Sequence, residues 1–327
     1  MSLSDTQLET LWLRLATAGP GHRAYVSLRI EGVVALDVHA ALRASDRSPC
    51  LIFDLPNPAA FGDIDFEVGG MRCSRVLLDH GQGLLLSLED ANKRDLFATI
   101  CLDVIAYAED THGASTISAV LSRLEAWRAF LRAIGGGMSR KELIGLIGEL
   151  QVLRHLLDAD AGLLPAWRAP DDALHDFEHL GYALEVKTTL GPGSRVTISG
   201  VDQLSDDGLE CLDFLHVRLY ESAQGETVDD MIERIVAVLP HDEARRQFSN
   251  ALLRRGLSPF DRRPGGGLKS LVQQITAYRV AEGFPRLLRK DVPPGVTEVT
   301  YALDLAYLQS LARPWSETRT AFCLRRT

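Results

Sequence analysis

Short apolar runs separated by turn residues fill roughly the first hundred positions: AYVSLRI, VALDVHA, PCLIFDLP, DIDFEV, SRVLLD and GLLLSLE. Runs of this length, bounded by Gly, Pro, Asp and Ser, predict strands of a mostly antiparallel layer. The period then changes. KRDLFATICLDVIAYAED and ISAVLSRLEAWRAFLRAI read as helices, the second placing Ile117, Val120, Leu121, Leu124, Trp127 and Leu131 at three- and four-residue steps. Gly135-Gly136-Gly137 ends that pattern and marks a boundary.

Beyond it, Ser139 and Glu142 stand three apart, the spacing of a capping box, and open SRKELIGLIGELQVLRHLLDAD. This helix is apolar on nearly every side from Leu143 to Leu157, so it is expected to be buried. Gly145 and Gly148 lie on one turn of it and suggest close backbone approach, because each costs about 1 kcal/mol against Ala in a helix interior. Glu149 follows them, a carboxylate in a buried helix, which requires a partner or a cation.

LHDFEHLGYALEVKTT, a turn at Gly191-Pro192-Gly193 and RVTISG predict three strands, VDQLSDDG a short polar connection, and CLDFLHVRLY a fourth, near-continuously apolar strand. VDDMIERIVAVLP and EARRQFSNALLRRG read as helices. TAYRVAEGF and VTEVTYALDLAYL follow as strands or a strand and a helix. The order is that of an α/β protein. Three regions are expected: a β-rich part over 1–134 ending in two helices, a central α/β core over 135–222, and a mixed α/β part over 223–327.

Composition changes this picture only at two points. The N-terminus lacks a secretory pattern and no run of about 18 apolar residues occurs, so a soluble, cytoplasmic protein with no membrane partner is expected. The five cysteines form no CxxC pair and no zinc-ligand spacing, and read as reduced core residues. The net charge of −9 argues mildly against a polyanionic partner, but it is uneven: residues 241–290 hold eleven basic side chains against four acidic ones. Most are arginines, suited to bidentate phosphate contacts, and Arg254, Arg255, Arg262, Arg263 and Lys269 are candidate nucleic-acid contacts. A solvated helical face is the competing reading.

Candidate chemistry gathers in the strand pair. In a strand alternate residues share a face, so Tyr182, Leu184 and Val186 point one way and Ala183, Glu185 and Lys187 the other. If Leu180-Gly181 form a two-residue hairpin turn, Asp176 falls opposite Glu185, with a cross-strand Cβ separation of about 5 Å. Two like charges that close repel, and a divalent cation between them turns repulsion into ligation. Lys187 would orient a bound water or stabilise developing charge, and Glu149 is a candidate third carboxylate. A surface ion pair between Glu185 and Lys187, with Asp176 capping a turn, is the competing reading. Of the five lysines only Lys187 has an acid two positions before it. No GxSxG, GxxxxGK[ST], HExxH or GxGxxG motif is present. His175 and His179 flank the first strand within reach of a substrate, yet isolated histidines more often satisfy structural roles.

GLIGELQVLRHLL, then HDF, ALEVKTT and VTISGVDQL, resemble the PD-(D/E)xK nuclease superfamily, and more particularly the PD-(D/E)xK motif proteins of bacterial anti-phage gene clusters. The superfamily resemblance covers about residues 138–222; the narrower one extends over most of the chain, including YALDLAYL. It implies a restriction-endonuclease-like core, a helix, three antiparallel strands, a helix and a further strand (αβββαβ). It also implies that Asp176 and Glu185 are metal ligands, that Val186 offers its carbonyl, that Lys187 stabilises charge, and that Glu149 is the helix glutamate of many members. Gln203 matches loosely the glutamine that some branches place after the third strand. His175 stands where the name-giving motif has proline, whereas Asp171 and Asp172 follow Pro170. Asp172 therefore remains an alternative to Asp176, which strand geometry favours.

The expectation is a Mg²⁺-dependent nuclease, with Mn²⁺ as a substitute, that hydrolyses DNA phosphodiester bonds in defence against foreign DNA, alone or with other subunits of a defence system. Cutting both strands of a duplex calls for a homodimer or larger assembly by fold-level analogy. The alternative is a non-catalytic DNA-binding or scaffolding subunit, and no residue here separates DNA from RNA.

Overall fold

A computed structural model describes residues 5–17, 23–31, 33, 36–55, 64–78, 81–109, 111, 115–133, 138–258 and 267–325. The chain divides into two units, Met1–Ile134 and Gly135–Thr327. The expected break at Gly135-Gly136-Gly137 lies outside the described residues, at the division between them.

In the first unit the six apolar runs form one antiparallel sheet: β1 (Tyr25–Arg29), β2 (Val38–Arg43), β3 (Pro49–Leu55), β4 (Phe66–Val68), β5 (Met71–Leu78) and β6 (Gly81–Leu88), in the order β1-β2-β3-β6-β5-β4. The two expected helices are α2 (Arg94–Glu109) and α3 (Ser115–Ala133). A helix the pattern did not announce, α1 (Asp5–Thr17), precedes the sheet. It is fixed by Trp12, which is buried, stacks on Phe97 at 5.8 Å and donates its indole N–H to the Cys50 carbonyl at 3.0 Å. All five cysteines are free, four of them buried.

The second unit opens with α4 (Arg140–Leu157), whose Ser139/Glu142 capping box forms as the spacing requires. A five-stranded mixed sheet follows, built from β7 (Phe177–His179), β8 (Tyr182–Leu190), β10 (Cys211–Glu226), β11 (Ser270–Arg279) and β13 (Ala312–Pro314), in the order β13-β11-β10-β8-β7. Strands β8 and β10 are parallel and the other pairs antiparallel. Sheet strands thus come from both the 135–222 and the 223–327 stretch. β9 (Arg195–Ile198) forms a separate ladder with β12 (Tyr301–Asp304). The implied run of three antiparallel strands in one sheet therefore stops at two. β10 fills one edge of β8, and on the other edge the Asp176 carboxylate accepts the Val186 N–H at 2.7 Å. β9 takes its ladder from β12 instead.

Each face of the sheet is covered. α4, α5 (Val228–Val238), α6 (Asp242–Arg254) and α7 (Trp315–Cys323) share a core with Tyr182, Leu184, Val186, Leu215, Val217 and Leu219. Val196, Ile198, Leu303 and Leu305 share a second core with Ala183, Leu212, Phe214 and Tyr278. The EVK face is therefore a buried one, at least as far along β8 as Glu185, which is 2% exposed. Gly148 explains the tight seat of α4: a Cβ there would lie 1.8 Å from the Thr188 hydroxyl oxygen. Gly145 has nothing within 4 Å, so close approach applies to one glycine of the two. Among the described residues no helix is long and apolar enough to cross a membrane.

Candidate active site

The hairpin between β7 and β8 sets the site. Leu180 and Gly181 have φ of 46° and 76°, both left-handed, as a two-residue type I′ turn demands, and His179 pairs with Tyr182 across it. Continuing that register past Phe177↔Leu184 brings Asp176 level with Glu185. The acids meet because a two-residue turn leaves no other alignment.

Asp176 is half-buried and Glu185 fully buried. Burial, followed by the Glu185 and Glu149 charges, pushes the Asp176 carboxyl well above the usual carboxylate range, against the pull of Lys187 and the Val186 N–H. Burial also raises Glu185, although the Lys187 ammonium donates to its Oε1 and opposes the shift. Burial works against the Lys187 charge, but Glu185, Asp176 and Glu149 outweigh it and hold that ammonium protonated. The pair thus carries two acids against one cation.

Glu149, 4% exposed on α4, is engaged otherwise. Arg255 donates to it from Nε at 3.1 Å and from a terminal nitrogen at 2.7 Å, and Trp167 donates its indole N–H at 3.1 Å. Its charge still reaches Asp176, Glu185 and Lys187.

The remaining candidates are spread out. Asp172 is exposed, at φ 53° where a short 3-10 turn ends, and Asp171 faces Arg254 at 3.2 Å. Gln203 accepts the Ser199 N–H at 3.0 Å. His175 is buried between Glu178 (3.3 Å) and the Ser205 carbonyl (3.2 Å), and His179 packs on Phe322 with its ring nitrogen 3.3 Å from the Arg325 carbonyl. Both histidines have structural partners. Of the basic candidates, Arg255 is taken by Glu149, Arg254 by Asp171, Lys269 is exposed, and Arg262 and Arg263 lie outside the described residues.

A family model described as "Putative PD-(D/E)XK family member (DUF4420)" matches residues 8–306. The chain belongs to the PD-(D/E)XK superfamily. Comparison with curated proteins and with solved structures returns no match.

Whether these side chains suit the divalent ion used by many PD-(D/E)XK proteins can be judged from their chemistry. Among the described residues no three or more His, Cys, Asp or Glu side chains are grouped to hold a metal. Two carboxylates that share one ammonium nevertheless offer hard oxygen donors with unbalanced negative charge. That donor set fits a Mg²⁺-like ion, which keeps several waters and needs only one or two carboxylates. The residues fit, at the lower limit of ligand number.

The sequence reading overlooked what stands beside this pair. The parallel register sets His216 level with Lys187 and Arg218 level with Thr189, on the same face. CLDFLHVRLY does carry polar residues at alternate positions, but only a non-local pairing tells which acids they accompany.

Proposed function

We propose that this PD-(D/E)XK protein is a metal-dependent nuclease that hydrolyses DNA phosphodiester bonds, with Asp176, Glu185 and Lys187 as its catalytic set. One observation carries the reading: two acids converge in buried surroundings with a single ammonium, bonded to Glu185, to offset them, at a cost in solvation that a purely structural pair has no reason to bear. The core that holds them, α4 followed by β7, β8, β9 and β10, supports a restriction-endonuclease-like assignment in which β9 has left the main sheet.

In this mechanism Asp176, Glu185 and the Val186 carbonyl would hold Mg²⁺ or Mn²⁺. The bound ion would supply Lewis-acid polarisation of a phosphoryl oxygen and a more acidic water. The Val186 N–H fixes the Asp176 carboxylate so that it faces Glu185. Glu185 anchors the Lys187 ammonium, which is placed to orient the attacking water or to offset charge on the phosphorane-like transition state. Glu149 is a third carboxylate whose charge is already met by Arg255, so it supports the site's potential before it ligates. Gln203, one turn beyond β9, is proposed as an accessory group, and the exposed Lys269 with the Arg254 segment as outer DNA contacts. A role in defence against foreign DNA, with a second copy or partner subunits for the other strand, completes the reading.

The lack of a three-ligand group among the described residues favours one competing reading, a DNA-binding or scaffolding subunit that no longer cuts. Calorimetry separates the two. Mg²⁺ is titrated into wild type and into Asp176→Ala/Glu185→Ala, with and without a short duplex. Binding that needs both acids and tightens with DNA supports the nuclease. Absence of metal binding in either state leaves the scaffold.

A further inference from the structure

The polar face that begins at Glu185 does not end at Lys187. Its register can be followed outward across three strands: Glu185, Lys187 and Thr189 on β8; Phe214, His216 and Arg218 on β10; Tyr278, Thr276 and Gln274 on β11. The covering layer of β9 and β12 reaches Phe214 and Tyr278. Beyond them the face opens: His216 is buried, Arg218 half-buried and Tyr220 43% exposed. Alternate positions on β10 advance about 6.6 Å, so Tyr220 lies roughly 13 Å along the strand from the level of Lys187.

Arg140, Arg154, Arg255, Arg279, Arg286, Arg289 and Arg325 all face a carboxylate. Among the described arginines of the second unit, Arg195, Arg218 and Arg319 face no carboxylate, and of these three only Arg218 has a buried Nε without an acceptor. Past Glu185, no acid stands among the positions named on these three strands. His216, bonded to the Thr189 hydroxyl at 2.8 Å, has its pKa lowered to about 4 by burial and by Arg218, so it adds a polar wall and no charge. Arg218 is thus a cation held ready for an anion that the described residues do not supply.

We propose that β10 is the substrate track of the site and that it takes a single-stranded segment, Arg218 binding a backbone phosphate next to the scissile one and Tyr220 stacking an unpaired base. The inference rests on the nuclease reading and narrows it from DNA to DNA with an unpaired stretch. An exposed tyrosine one strand step from a phosphate-binding arginine is the arrangement by which proteins hold unpaired strands without reading sequence. A fully paired duplex keeps its bases inside the stack and would leave Tyr220 unused.

The test uses the full chain without metal, so that no substrate is cut. Anisotropy is measured with a labelled single-stranded DNA oligonucleotide and with a blunt duplex of the same sequence, for wild type, Arg218→Gln and Tyr220→Ala. Expected is tighter binding of the single strand by wild type, weakened about tenfold by either substitution, with a salt slope reduced by about one for Arg218→Gln only. Tyr220 is exposed, so its variant tests the track even if Arg218→Gln folds poorly. Wild-type affinity in both variants, or a wild-type preference for the duplex, overturns the track. If wild type then cuts DNA with Mg²⁺ and Lys187→Ala does not, the nuclease reading survives that failure.

Discussion

Asp103 and Glu149, one in each unit, have nearly the same surroundings. Asp103 on α2 accepts Arg123 Nε at 2.6 Å, a second Arg123 nitrogen at 3.0 Å and the Trp127 indole at 2.7 Å, and Arg123 lies 5.0 Å over the Tyr107 ring. Glu149 is likewise bracketed by an arginine and an indole. In each case one acid meets one guanidinium and its oxygens are satisfied, which is how a folded chain tolerates buried charge. Asp176 and Glu185 break that rule with two acids to one ammonium. Matched charge holds a fold together; unmatched charge is held in place by the fold for another partner.

The most severe way to break the contrast is to remove the unmatched set. Lys187→Ala is expected to lower DNA cleavage by about 10²–10³-fold, the loss typical of one transition-state donor, while circular dichroism stays that of wild type. Asp176→Ala is expected to lose both Mg²⁺ binding and cleavage. Cutting by Asp176→Ala with unchanged metal dependence would move the assignment to Asp172. Glu149→Gln, at the matched acid, is expected to reduce Mg²⁺ affinity less than Asp176→Asn does.

Removing a matched partner has the opposite signature. Arg123→Ala strands the Asp103 carboxylate and is expected to cost about 3–5 kcal/mol of first-unit stability in urea unfolding, with Mg²⁺ affinity unchanged. A loss below 1 kcal/mol would mean that water relieves Asp103, and the parallel with Glu149 would fail.

This contrast was half-legible in the sequence. Local rules found the six first-unit strands, the α4 capping box and the Leu180-Gly181 turn, because each rests on residues within four positions of one another. The turn alone put Asp176 opposite Glu185. What escaped depends on distant pairs: Arg255 meeting Glu149, β9 pairing with β12, and His216 and Arg218 aligned with Lys187 and Thr189. α1 escaped although its buried Leu8, Trp12 and Leu15 recur at helical spacing. The basic stretch over 241–290 is one patch along the chain, whereas the fold pairs Arg245 and Arg246 with neighbouring acids and Arg254, Arg255, Arg279, Arg286 and Arg289 with acids distant in sequence.

Proton linkage sharpens the comparison further. The Asp176 pKa is raised in the fold, so the stability it contributes is present when the acid is protonated and is lost as pH rises through that raised value. Metal-free protein is therefore expected to lose second-unit stability with rising pH above the ordinary carboxylate range, with a slope of up to about 1.4 kcal/mol per pH unit. Asp176→Asn should remove the slope. Mg²⁺ affinity should rise over the same window, with proton release visible as a buffer-dependent heat. A stability curve unaffected by Asp176→Asn would mean that the pair is already balanced.

The smallest effect separates two neighbours on α4, the helix that carries Glu149 to β8. Gly148 lies against Thr188, so a methyl group there must push the helix from the strand that bears Glu185 and Lys187. Gly148→Ala is expected to destabilise the unit and to weaken cleavage with it. Gly145 meets nothing within 4 Å, and it sits in a helix interior where glycine only adds entropy to the unfolded chain. Gly145→Ala should therefore stabilise by up to about 1 kcal/mol and leave cleavage as it is. Thermal unfolding of the two variants side by side reads the sign directly. A loss of cleavage in Gly145→Ala would show that the open side of α4 is used by the substrate, and that the glycine is kept for access.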